Sequence, residues 1–88
     1  MHEMSLALEI ARIAEQRLGA TAPRLVTVAV EVGDHAGVEP SSLEFCLDAV
    51  FATPPFTGAK GLILAAAGDA LQVAYLEVDD GDPDDRGP

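Results

Sequence analysis

An α/β (α+β) two-layer sandwich, in the order helix, strand, helix, strand, strand, is predicted by three features of the sequence: an amphipathic opening segment, a long alternating run of valines, and two apolar runs that follow a double proline. The expected product is a three-stranded mixed sheet with both helices on one face.

The first helix follows from Leu6, Ile10, Ile13, Ala14 and Leu18, whose spacing places them on one side of a 3.6-residue repeat. Ser5 is the expected N-cap, and Gly19 sits where a left-handed residue ends a helix. Pro23 then introduces a strand over 24–33. Val26, Val28, Val30 and Val32 share its buried face, and Thr27, Ala29 and Glu31 share the other. Gly33-Asp34-His35-Ala36-Gly37 reads as a loop whose two glycines permit unusual backbone angles.

Ser41 and Glu44 have the spacing of a capping box for the second helix, and Pro40 is tolerated in its first turn if Glu39-Pro40 extends the start. Its apolar face is Leu43, Cys46, Leu47, Val50 and Phe51, and Pro54-Pro55 forbids continuation. Residues 62–67 and 71–78 are strand-like and separated by Gly68-Asp69, which suits a tight hairpin. Ala65-Ala66-Ala67 is compatible with a helix, although six residues between glycines make a poor one. In the last run Leu71, Val73 and Tyr75 lie on one face but Leu76 and Val78 on the other; a bulge near Ala74-Tyr75 is expected unless both faces are covered. The strand–helix–strand unit calls for parallel strands joined by a right-handed crossover.

Composition limits the function. The chain has 88 residues, read as a single domain over 1–78 and a solvated, disordered acidic tail over 79–88. So small a core leaves a thin stability margin, which a homodimer or a bound partner would widen. Fifteen acidic residues against five basic ones give a net charge of −10, which repels nucleic acid and anionic membranes. The only cysteine, Cys46, excludes an internal disulfide and a Cys-x-x-Cys zinc knuckle, and its place on the apolar helix face assigns it to the core. A reducing cytoplasm fits, and neither an export signal nor a membrane span is evident. No Gly-rich phosphate loop, no Ser/His/Asp order and no lysine or tyrosine beside a carboxylate pair stands out, so an enzyme is not expected.

The chemistry lies at the start, Met1-His2-Glu3. Methionine is retained ahead of a residue as bulky as histidine, leaving a free amine beside an imidazole. The Met1 amine, the deprotonated His2 amide and the His2 ring Nδ1 close five- and six-membered chelate rings, and the Glu3 amide is a fourth nitrogen. A planar nitrogen set suits Ni(II) or Cu(II) rather than zinc or magnesium. The Glu3 carboxylate can accept a hydrogen bond or offer an axial oxygen. By itself an N-terminal Xaa-His is a weak signal, more often a frayed terminus. His35 is a conceivable extra ligand, more often an incidental exposed histidine.

The opening Met1-His2-Glu3-Met4-Ser5-Leu6-Ala7 resembles that of the HypA/HybF family of hydrogenase nickel-insertion accessory proteins. Val30 to Phe45 is similar to the family's V-x-V-G-x-x-x-G-V-E-P-x-S-L-x-F segment, and Thr53-Pro54, Gly58-Ala59 and the stretch from Gly68 to Val78 resemble its later signatures. The resemblance implies a non-enzymatic metallochaperone that binds nickel through Met1, His2 and Glu3. It implies delivery of Ni(II) to a [NiFe]-hydrogenase large subunit, together with a nickel-binding maturation GTPase. The family inserts a zinc module with two Cys-x-x-Cys pairs between its last two strands; here Ala67-Gly68-Asp69-Ala70 joins them, so no zinc is expected. A docking adaptor that no longer transports metal is the alternative expectation.

Overall fold

The computed structural model describes residues 2–79. It contains helix α1 (Glu3–Leu18), a 3₁₀ segment (Gly19–Arg24), strand β1 (Leu25–Gly33), helix α2 (Pro40–Val50), and strands β2 (Lys60–Ala66) and β3 (Leu71–Val78). The expected element order and class are therefore present. The tail assigned to 79–88 lies, apart from Asp79, outside the described residues, as does Met1.

The sheet order is β2-β1-β3, with β1 parallel to β2 and antiparallel to β3. The parallel pairing was expected; the hairpin was not found, because β2 and β3 occupy opposite edges. The reason is burial. Val28, Ala29, Val30 and Val32 leave almost no surface exposed, and a strand covered this fully belongs in the centre rather than at an edge. Four connecting residues reach roughly 13–14 Å when extended, enough to cross the two strand spacings of about 9–10 Å that separate the edges.

That crossing runs over the end of β1. The Gly33 N–H donates to Ala70 O at 2.7 Å, Asp34 N–H to Ala66 O at 3.3 Å and His35 N–H to Gly68 O at 2.7 Å, while Gly68 N–H donates back to Asp34 Oδ1 at 3.0 Å. A Cβ on Gly33 would stand 2.2 Å from the Gly68 carbonyl oxygen. Close approach is thus the reason for this glycine, whereas Gly37, at φ 75°, does use the left-handed region foreseen for the loop.

The core is one cluster. Ala7, Ile10 and Ala14 from α1, Leu43 and Leu47 from α2 and Phe51 at its C-cap pack on Val28, Val30 and Val32, with Phe56 tilted against Phe51 at a ring separation of 4.5 Å. Gly61 faces α2 where a Cβ would meet Leu47 Cβ at 2.8 Å, and its N–H donates to Asp48 Oδ1 at 2.9 Å. Asp48 thereby fixes α2 to the edge strand.

Several local expectations change. Helix α1 begins at Glu3 with His2 as N-cap, so Ser5 lies inside the first turn. Helix α2 is capped by Glu39, not Ser41: the Glu39 carboxylate accepts the Ser42 N–H at 2.9 Å and the Ser41 hydroxyl as well. Pro40 at the first helical position has no N–H to satisfy, which leaves that longer side chain free to reach onward. Val26 is 42% exposed because a register shift between Leu25 and Thr27 turns it out of the valine face. The second shift skips Ala74 opposite Ala29 and Val30, where the reversal of phase along β3 called for a bulge.

Candidate functional site

The start of α1 and the start of α2 lie side by side at the pole where β1 ends. Between them is an open cleft of ≈ 580 Å³ lined by His2, Met4, Ser41, Ser42, Phe45 and Cys46, with Glu3 and Ser5 completing its wall.

His2 is exposed and extended, with φ −80° and ψ 133°, and no side chain caps the helix it opens. Its carbonyl accepts the Leu6 N–H at 3.1 Å, the first bond of the helix. The N–H groups of the first turn have no acceptor within a helix, so amide nitrogens there can lose a proton without breaking the ladder.

Glu3 is tied across the pole: its Oε2 accepts the Glu39 N–H at 3.1 Å. That bond, and then its own backbone N–H, hold the Glu3 carboxyl below the usual glutamate range, against the opposing effect of burial. Glu39 is held low by the Ser41 hydroxyl and then by the Ser42 N–H. One carboxylate thus anchors the N-terminal turn to α2, and the next caps α2 itself. The sequence suggested hydrogen bonding by Glu3 but did not identify its partner, because the two residues are 36 positions apart.

The four-nitrogen set expected from the sequence needs revision on chemical grounds. The His2 amide nitrogen shares a chelate ring with the Met1 amine, another with its own Nδ1 and a third with the Glu3 amide. All three partners would have to be adjacent to it, yet a donor in a square plane has only two adjacent positions. The amine, the His2 amide and Nδ1 already fill them. Closing the third ring also requires the His2 and Glu3 nitrogens to eclipse about the Cα–C bond, and a ψ of 133° turns them apart.

His35 is placed elsewhere. It follows β1 on the crossed turn, its Nδ1 3.6 Å from Asp34 Oδ1 with both side chains exposed, and it does not line the cleft with His2. Among the described residues no three His, Cys, Asp or Glu side chains converge on a point that could hold a metal ion. Cys46, assigned to the core, is only half-buried: it packs against the core and also lines the cleft. Phe45 was also missed, although it lies off the apolar face of α2 and so had to point outward.

Residues 1–70 match the family model described as hydrogenase/urease nickel incorporation, metallochaperone, hypA. Among curated proteins, the hydrogenase maturation factor HypA of Geotalea uraniireducens is 38% identical over 63 residues, covering 72% of this chain and 56% of that protein. The protein of the same name from Albidiferax ferrireducens is 36% identical over 78 residues, covering 88% and 69%, and that of Azoarcus sp. is 44% identical over 71 residues, covering 77% and 60%. The chain spans little more than half the length of the first of these relatives.

Proposed function

The chain belongs to the HypA family, and from that premise we propose that it is a metallochaperone that carries Ni(II) on its own N-terminus for maturation of a [NiFe]-hydrogenase. The Met1 amine, the His2 amide and His2 Nδ1 hold the ion in three positions of a plane. Glu3 acts through its carboxylate, holding the turn against α2 rather than binding the metal. The observation that supports this reading is the coincidence of an exposed His2 at the N-cap of α1 with a family match that begins at residue 1.

Loading removes one proton from the Met1 ammonium and one from the His2 amide, so affinity falls as pH falls. The fourth planar position is left to water or to a donor from the recipient. Such an opening gives the acceptor a first bond to the metal, after which the amine and amide recover their protons and the ion leaves. By kinship the recipient is a hydrogenase large subunit, and a nickel-binding maturation GTPase is the cooperating partner. With Cys46 as the only cysteine of the 88 residues, the proposed nickel site draws on no Cys-x-x-Cys zinc module.

The test is titration of untagged protein with Ni(II), followed by calorimetry and visible absorption. One equivalent should bind with a planar-nickel spectrum, and His2→Ala or a residue added before Met1 should abolish it. Unchanged binding in either variant removes the proposal.

A docking adaptor without metal transport is the second reading, favoured by the direct joining of β2 to β3 through Ala67-Gly68-Asp69-Ala70, where the family carries its zinc module. A His2→Ala strain that still matures its hydrogenase would select it.

A further inference from the structure

The outward side of the two helices carries large apolar groups that no described element covers. Met4 is 42% exposed, Leu8, one turn further along α1, is 56% exposed, and Phe45 on α2 is 74% exposed. Met4 and Phe45 face the same cleft, across which α1 and α2 lie side by side. Apolar side chains scattered singly over a surface need no explanation, but two that line one cleft, with a third a helical turn from Met4, form a patch. The core does not use them: Leu43 and Leu47 of α2, Phe51 at its C-cap, and Ala7, Ile10 and Ala14 of α1 are buried, and Met4, Leu8 and Phe45 are not among the residues packed against that cluster.

Three carboxylates border the patch, and His2 is the basic side chain that lines the cleft with them. Glu39 and Glu44 are exposed beside Ser41, Ser42 and Phe45, and Glu3 lines the cleft. No lysine or arginine lines the cleft: on α1, Arg12 is bonded to Glu9 of its own helix, and Arg17 lies in the last turn. We propose that Met4, Leu8 and Phe45 form a docking surface for a partner protein segment that presents an apolar face flanked by lysine or arginine. A second copy of this chain is the wrong occupant, since it would bring the same acidic rim and a net charge of −10 against its own kind. The surface adjoins His2, so a partner seated there is in place to meet the N-terminus; the docking itself rests on the patch and its charges and needs no metal.

The experiment uses the full chain without metal and, as probe, a helical peptide with leucines on one face and lysines on the other, compared with a leucine–glutamate version. Amide shifts in the protein should move along 2–8 and 41–46 with the lysine peptide, and the glutamate peptide should leave them in place. Phe45→Ser should weaken binding about tenfold or more, as expected for a central aromatic anchor. Glu44→Lys should weaken it and flatten its dependence on salt. Tyr75→Ser, on the open face of the sheet, should change nothing. Both α-helix variants should keep the melting temperature and the nickel titration of the parent, so failure of docking and failure of nickel binding are separately visible. The proposal is overturned if the shifts fall on the sheet, if both peptides bind alike, if Phe45→Ser binds normally, or if the parent is a dimer that Phe45→Ser makes monomeric.

Discussion

Two features share the pole where β1 ends, and they are built in opposite ways. The crossing between β2 and β3 is pinned to Gly33, Asp34 and His35 by four hydrogen bonds, with no space for a single methyl group at Gly33. The N-terminal turn is held to α2 by one exposed side-chain bond, Glu3 to Glu39, and leaves His2 in solvent. The contrast separates a rigid base from a light arm. The crossing fixes where the chain leaves β1 and therefore where Glu39 stands. The N-terminal turn has only the Glu3 bond to Glu39 to hold it there, so under the proposed nickel binding little would have to break for it to rearrange.

The comparison fails most visibly if the crossing tolerates bulk. Gly33→Ala should cost more than about 3 kcal/mol or prevent folding, because the clash is with backbone that cannot turn aside. A thermal or urea melt close to the parent's would show that the crossing yields. Gly61→Ala comes next, at about 1–3 kcal/mol, since its clash is with Leu47 and the helix can shift slightly; at roughly 4–8 °C per kcal/mol the loss is easily read in a melt.

Glu39→Ala should lower the melting temperature less than either glycine variant, by removing the carboxylate that caps α2 while keeping the N–H that binds Glu3. Glu3→Ala should have the smallest effect on melting. It should speed hydrogen exchange at the Glu39 amide and leave nickel affinity within a few-fold of the parent, in contrast to His2→Ala. Loss of nickel binding in Glu3→Ala would return the Glu3 side chain to the ligand set.

Acid sharpens the same contrast. Both carboxyls are lowered in the folded chain, so their contribution to stability is full above the ordinary glutamate range. It fades as pH falls through that range toward the lowered values, and is gone below them. Carboxyl carbon shifts of Glu3 and Glu39 should therefore titrate at lower pH in the native protein than in the unfolded chain. The glycine crossing, held mainly by backbone groups, should outlast the N-terminal tether during acidification.

Periodicity and punctuation in the sequence determined the element order, the buried stripes of both helices, the central valines and the bulge in β3. Each is written within a few neighbouring residues: Val28, Val30 and Val32 alternate, Leu43 and Leu47 stand one turn apart, and the phase reversal from Tyr75 to Leu76 demands an extra residue. The sequence also presented Met1, His2 and Glu3 as neighbours able to chelate. Only the tertiary structure decided that β1 is central, that Gly33 serves a crossing chain, and that Glu39 both caps α2 and receives Glu3. Those facts rest on contacts between residues about 35 positions apart, such as Gly33 with Gly68 and Glu3 with Glu39. Local spacing carries no record of such meetings, because they depend on which strand is buried deeply enough to take the middle of the sheet.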